Sequence, residues 1–287
     1  MKLCSVVVLY RPDGETLDFL RASASRANPV VAVWNACPSD QKAAFAGVDG
    51  LTLCPQSTNV GLSRALNIGI ETAFAAGADR VLLLDQDSRP DASMGEALAE
   101  IGNLADREGV RVGLVGPTLR DRKASGAVNA VRTDAGRYQI VPSLSTSGSL
   151  IDKQAYRAVG PMWDDLFIDG IDHEWCYRAK FKGFSIVQAR DVSMEHDMGD
   201  AGVNVFGRYK PIHRSPVRHY HIVRNILWLA RQRQVPKSFS AKEVCKLAYR
   251  IPAYIAVSTA RGATMSNIFR GIRHGLFGTP AKVDLEF

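Results

Sequence analysis

No run of the roughly 20 apolar residues needed to cross a bilayer occurs anywhere in the chain, so a helical membrane protein is not expected. The N-terminal apolar stretch "VVVLY" is too short for the core of a secretory signal, which predicts an intracellular protein. Cysteine is scarce: Cys4, Cys37, Cys54, Cys176 and Cys245 are odd in number and contain no C-x-x-C pair. A disulfide framework and a structural zinc site are both disfavoured, and the thiols are expected reduced. Internal repeats and low-complexity tracts are missing too, which leaves out solenoids and bulk disorder.

What is present is a globular composition. The 287 residues, 46% hydrophobic and 23% charged, suffice for one large core with an appendage. The net charge of +7 is concentrated at one end, because residues 201 to 287 carry fifteen Lys or Arg against three acids. That local balance of +12 leaves −5 for residues 1 to 200. A mildly acidic first two-thirds does not suit a protein that grips nucleic acid along its length.

Apolar runs and helical periods alternate through the first half. Strands are expected at "LCSVVVLY", "PVVAVW", "LTLC", "RVLLLD" and "RVGLVG". Helices are expected at about 14–27, near 39–46, at 62–76 and at 92–107. This spacing predicts βαβ units and a mostly parallel sheet with helices on both faces. Residues 118–141 are polar and Gly-rich and read as a long irregular excursion before "SLSTSGSLI". From about Val217 the pattern turns helical, with "YHIVRNILWLARQ" and "AKEVCKLAYRIPAYIAV" separated at Pro236. The expected organisation is an α/β body over 1–210 and a basic amphipathic helical extension over 211–287.

Three stretches carry candidate chemistry. In "RVLLLDQDSRP" a buried-type strand ends in Asp85 and Asp87, at the edge where open α/β sheets collect ligands. Two hard oxygen donors there suit a divalent cation and the anion it carries, although D-x-D is also a common solvated turn or helix cap. In "DDLFIDGIDHEWCYRAKFKGF" a helix starting near Ile171 places Asp172 in its first turn, as a general base or as a simple cap. Glu174 stands four residues before Arg178, the spacing of a helical ion pair. In "DVSMEHDMGD" a strand-like piece delivers His196 to a Gly-containing turn, where an imidazole can complete a cation's shell or serve structure alone.

Taken jointly, "NVGLSRALNIGI", "LLLDQDS", "SGSLI", "LFIDGIDHEWCYRAKFKGF", "MEHDMG" and "RHYHIVRN" resemble the family 2 glycosyltransferases of the GT-A fold. The likeness runs in family order from about residue 5 to residue 230 and is greatest to bacterial rhamnosyltransferases of O-antigen and cell-wall polysaccharide assembly. It implies a GT-A type mostly parallel sheet flanked by helices, with a C-terminal helical extension. It also implies inverting transfer of a sugar, L-rhamnose from dTDP-rhamnose, to a saccharide or lipid-linked saccharide. Asp85 and Asp87 would bind Mg2+ or Mn2+ with His196; Asp172 would be the base, and Glu174 would lie near the acceptor. Tyr10, Asn35, Asn59, Gly61, Arg64, Gln86 and Arg224 would join Asp85 and Asp87 around the nucleotide sugar. Family members carry an Asp where this chain has Trp34, beside Asn35, at a position that contacts the base.

Arg218, Arg224, Arg231, Arg233, Lys242, Lys246 and Arg250, interleaved with Tyr220, Trp228, Leu247 and Tyr254, suit a helix on the anionic inner face of the cytoplasmic membrane. They equally suit packing on the body or a homodimer interface. Rival readings are a UDP-hexose-using enzyme of the same fold, a metal-dependent nucleotidyltransferase and a non-catalytic nucleic-acid binder.

Overall fold

The computed structural model describes residues 1–41, 43, 45–121, 136–196, 203–205, 208–210 and 213–278. Ten strands are described: β1 (Leu3–Tyr10), β2 (Val30–Asn35), β3 (Leu51–Pro55), β4 (Arg80–Asp85), β5 (Val112–Asp121), β6 (Tyr138–Val141), β7 (Leu150–Asp152), β8 (Ser185–His196), β9 (Val203–Val205) and β10 (Arg208–Lys210). Eight α-helices accompany them: α1 (Gly14–Ser23), α2 (Leu62–Ala75), α3 (Met94–Arg107), α4 (Lys153–Val159), α5 (Ile171–Phe181), α6 (Pro216–Arg231), α7 (Lys237–Val257) and α8 (Arg261–Phe277). Strands β1 to β8 form one sheet in the order β3-β2-β1-β4-β7-β5-β8-β6, and β9 and β10 form a small hairpin. Within the large sheet β7 runs antiparallel to both neighbours, β6 runs antiparallel to β8, and all other pairs are parallel.

The parallel core follows from residue type. β2 is buried at every position and β4 at its four central ones, as strands covered by helices on both faces must be. One face packs Val6, Val33, Leu83 and Ile151 against Ile70 of α2 and Trp175 of α5. The other packs Leu9, Trp34, Leu82 and Leu150 against Leu98 and Ile101 of α3. Burial pushes the Cys4 thiol up to about 11 and the Cys176 thiol up to about 12. Both are inert core thiols, and all five cysteines are free.

The structure differs from the sequence expectation at edges and in the excursion. The helix expected near 39–46 is a single 3-10 turn at Ser39–Gln41. β5 runs on to Asp121, and "VSMEH" is the end of a twelve-residue strand. The register of β5 on β8 shifts across Pro117, which has no N–H to give the ladder. The excursion expected over 118–141 begins and ends in strand, and 122–135 lie outside the described residues. A third C-terminal helix, α8, joins the two that periodicity suggested.

The helical extension is docked on the body. Trp228 of α6 belongs to the main core and stacks on Trp163, ring centroids 5.2 Å apart. The expected boundary near 210 falls beside residues 211–212, outside the described residues. α8 lies close along α6, where a Cβ at Gly271 would stand 2.8 Å from the Tyr220 carbonyl oxygen, and one at Gly275 2.7 Å from the Leu227 side chain.

Gly69 sets how closely α2 approaches the sheet, since a Cβ there would lie 2.4 Å from Val6 Cγ1. Ala gains about 1 kcal/mol over Gly in helix propensity, against about 1–3 kcal/mol for overpacking. Gly69→Ala should therefore lower the melting temperature; an unchanged or higher value would show that α2 has room to retreat.

Candidate active site

The parallel register brings three strand ends to one edge: Tyr10 opposite Asn35, and Val8 opposite Asp85. Beyond β4 the chain turns at once, with the Ser88 N–H donating to the Asp85 carbonyl at 3.0 Å. Three contacts fix that turn. Gln86 Oε1 accepts from the Tyr10 N–H at 2.9 Å, the buried Ser88 hydroxyl meets that of Ser147 at 2.9 Å, and Arg89 donates to the Gln86 carbonyl at 3.0 Å. Asp85 is half-buried and Asp87 exposed, so this edge presents hard oxygen ligands on a braced turn.

Asn35 and Asn59 fold the neighbouring loop. Buried Asn35 accepts from the Val60 N–H at 3.2 Å and donates to the Gly61 carbonyl at 3.4 Å, and Asn59 Oδ1 accepts from the Gly61 N–H at 3.0 Å. Trp34, beside Asn35, is turned into the core against Phe45. Gly61 has φ +84° and touches the Phe167 ring, which a Cβ would approach to 2.5 Å. The first donors of α2 do not face an open pocket: Leu62 and Ser63 N–H donate to the Phe167 carbonyl at 2.6 and 3.3 Å. Arg64 lies half exposed one residue further on, 3.6 Å from Asp164. A cavity of about 580 Å3 beside it is lined by Asn67, Glu71, Trp163, Asp164 and Arg178, on the α2 flank.

Phe167 belongs to a strained segment. Phe167 and Asp169 take left-handed backbone at φ 64° and 65°, and Gly170 follows at 83°. Such non-glycine conformations cost about 1–3 kcal/mol each and persist only when the surroundings hold them. Here α6 holds them. Asn225 Nδ2 reaches the carbonyls of Leu166, Ile168 and Asp169 at 2.9, 2.7 and 2.8 Å. Arg224 donates to the Asp165 and Leu166 carbonyls at 2.7 and 3.0 Å, and Arg218 pairs with the Asp169 carboxylate through two bonds. His221 stacks on the Phe167 ring at 4.8 Å, its pKa pushed down to about 3 by burial, so it packs as a neutral ring. Out of this segment α5 begins, with Asp172 half-buried in its first turn and its Oδ1 accepting from the His173 N–H at 2.8 Å.

Two expected site residues are buried in the structure. Arg224 is 3% exposed, donates to the Asp165 and Leu166 carbonyls and to Asn225, and lies over the Tyr220 and Trp228 rings. Glu174 is 2% exposed, with both oxygens accepting from Arg178 at 2.9 and 2.8 Å and a further bond from Gln234, and it borders the cavity beside Arg64. The i, i+4 spacing turns the pair into the body, where Arg178 also donates to the Val159 and Pro161 carbonyls. His196 ends β8, which runs parallel to β5, but its side chain lies outside the described residues. Among the described residues no three His, Cys, Asp or Glu side chains form a metal cluster. Asn225 escaped the sequence reading, and Arg218 entered it only as one of the basic residues of the extension; their seven-residue spacing in "RHYHIVRN" sets them on one helix face.

No family model matches the sequence. Over 253 residues the chain is 32% identical to the dTDP-rhamnosyl transferase RfbF of Shigella flexneri, covering 84% of this chain and 83% of the relative. The fold is shared with S. aureus TarS 1-349, with TM-score 0.54, 12% identity, 96% of this chain and 81% of that one. The same TarS fragment in complex with UDP-GlcNAc gives TM-score 0.54 at 13% identity, covering 95% of this chain and 81% of that one. GalNAc-T7 with UDP, GalNAc and Mn2+ gives TM-score 0.56 at 12% identity over 80% of this chain and 48% of that one. A sheet of this order with acids at the β4 edge is the architecture of a GT-A glycosyltransferase. The protein belongs to the family 2 glycosyltransferases, in company with the Shigella rhamnosyl transferase, and is an enzyme of that class.

Removing Glu174 strands a largely buried guanidinium, which costs about 3–5 kcal/mol. Glu174→Ala should lose stability of that order in urea unfolding; intact stability with abolished turnover would instead support a role for Glu174 at the acceptor. Asn225→Ala withdraws the donors from three carbonyls and should cost about 1–3 kcal/mol, with turnover falling more than donor affinity. Unaltered stability and turnover would show that the segment holds its shape without α6.

Proposed function

We propose that the protein is an inverting rhamnosyltransferase, moving L-rhamnose from dTDP-rhamnose to a saccharide or lipid-linked saccharide in bacterial surface polysaccharide synthesis of the O-antigen kind. The observation that carries this is the 32% identity to a dTDP-rhamnosyl transferase over most of both chains. The setting is the cytoplasm, at the inner face of the membrane when the acceptor is lipid-linked. Residues 1–210 would carry donor binding and chemistry, and 211–287 the helical extension.

Inverting transfer is one displacement. The acceptor hydroxyl oxygen attacks the anomeric carbon, the bond from that carbon to the diphosphate oxygen breaks, and its electron pair leaves with the nucleoside diphosphate. Asp172 takes the hydroxyl proton. It stands half-buried in the first turn of α5, with Oδ1 accepting from the His173 N–H, and is the carboxylate proposed to act as general base. No nucleophile on the enzyme is needed.

The oxygen donors at the β4 edge fit a hard divalent cation, and Asp85 and Asp87, with His196, would hold Mg2+ or Mn2+. When bound, such an ion neutralises the charge that grows on the departing diphosphate, a contribution of several kcal/mol in enzymes that use it. Around it Tyr10 and Gln86 fix the turn, while Asn59 and Gly61 shape the floor beside the nucleotide. Arg64, half exposed at the start of α2, would meet phosphate oxygens on exchange from its weak contact with Asp164. Asn35 acts by holding the 59–61 loop.

A thermal-shift series with dTDP-rhamnose, UDP-glucose and UDP-GlcNAc, each with Mn2+ or Mg2+, tests the donor. The largest stabilisation should come from dTDP-rhamnose, and equal or greater stabilisation by a UDP-hexose would overturn the rhamnose assignment. Asp172→Asn should lower turnover by about 10^2 to 10^4-fold, the usual range for loss of a general base, while keeping the donor-induced shift. Full turnover in that variant would remove Asp172 from the chemistry.

A further inference from the structure

Exposed apolar side chains are not scattered evenly on the helical extension. On α8, Met265, Phe269 and Leu276 are 56%, 70% and 46% exposed, and Phe277 is 84% exposed at the helix end. Positions 265, 269, 272 and 276 recur on one side of a helix with 3.6 residues per turn. Ile272 within that row is half-buried and packs on the helical cluster, so the row borders the core of the extension while its other members face solvent. From Met265 to Leu276 the stripe runs about 16 Å at 1.5 Å per residue. Isolated exposed apolar residues need no explanation, but an aligned row of large ones does.

The surroundings of the stripe are cationic. Arg261 stands one turn ahead of Met265, and Arg273 is exposed beside it. Arg270 lies over the Tyr220 ring at 5.9 Å. No acid occurs in α8. Across residues 213–278 twelve Lys or Arg face one acid, Glu243, which is itself bound by Lys246 at 2.5 Å and Arg250 at 3.1 Å.

These two properties together select the partner. A second copy docked through the same face would set arginines against arginines, and like charges in apposition oppose binding. A soluble polyanion would satisfy the arginines and leave the apolar row in water. An anionic bilayer meets both needs, with aromatic and aliphatic side chains in the headgroup and acyl boundary and arginines among the phosphates. We infer that α8 is the face through which the protein docks on an anionic lipid surface, Met265, Phe269 and Leu276 inserting and Arg261 and Arg273 reading the charge. This moves the contact away from the helices that periodicity suggested, because Tyr220, Trp228, Leu247 and Tyr254 are all buried.

The inference goes beyond the transfer reading and is read by binding rather than turnover, so either can fail without the other. The full chain is sedimented with sucrose-loaded vesicles, one set phosphatidylglycerol and phosphatidylcholine in equal parts, the other phosphatidylcholine alone. Binding should appear on the anionic vesicles, be weak on the neutral ones and decline as salt rises. M265S/F269S, two exposed positions, should bind at least about tenfold more weakly with an unchanged melting temperature, as expected from the apolar transfer lost. R261E/R273E should also lose binding. The inference is overturned if the parent does not sediment with anionic vesicles, or if either double variant sediments as the parent does. It is overturned equally if the parent is a dimer that M265S/F269S dissociates while vesicle binding stays intact.

Discussion

One backbone carbonyl joins the two halves of the proposed site. The oxygen of Phe167 accepts the first N–H groups of α2, whose N-terminal loop carries Asn59 and Gly61, and it lies four residues before the first turn of α5, where Asp172 stands. Left-handed backbone at Phe167 and Asp169 aims that carbonyl, and those conformations are unfavourable unless something external holds them. Asn225, Arg224 and Arg218 supply the hold from α6. The loop at 59–61 and the helix that carries Asp172 are thereby referenced to one another through protein atoms alone.

Burial separates the polar groups that support the frame from those left open to solvent. Glu174 and Arg178 satisfy each other inside the body, where either alone would be an unmatched charge. Asn67 collects the Met162 N–H and carbonyl, the Tyr156 hydroxyl and Asp164, a fully engaged amide between α2 and the segment before α5. Asp87, by contrast, stays in solvent on a turn braced by Ser88 and Gln86. Groups with every valence occupied keep the frame rigid, and the exposed carboxylate remains able to change partners.

Much of the frame was legible in the chain itself. Val81–Leu84 ending in Asp85 and Asp87 announced a doubly covered strand with acids at its carboxyl edge, and a helix start was expected near Ile171, where α5 begins. Less legible were contacts that depend on a distant partner. Nothing local shows that the Arg224 guanidinium reaches the Asp165 and Leu166 carbonyls, or that Glu174 takes a bond from Gln234 as well as from Arg178. The antiparallel β7 was equally hidden, since three residues carry no period and their direction is set by Ser149 and Leu150 meeting β4. Asn225 went unnoticed because a single amide has no pattern until three carbonyls converge on it.

The close seating of α8 on α6 through Gly271 and Gly275 bears on how such enzymes diversify. With no Cβ at those two positions, α8, α6 and the loop ahead of α5 form a train without play. A graft that exchanged the terminal helices for those of a cousin would have to match the spacing at both glycines and the row of carbonyls under Asn225. The appendage is therefore not an interchangeable cassette: its surface can vary, while its inner side must change in step with the residues around Phe167.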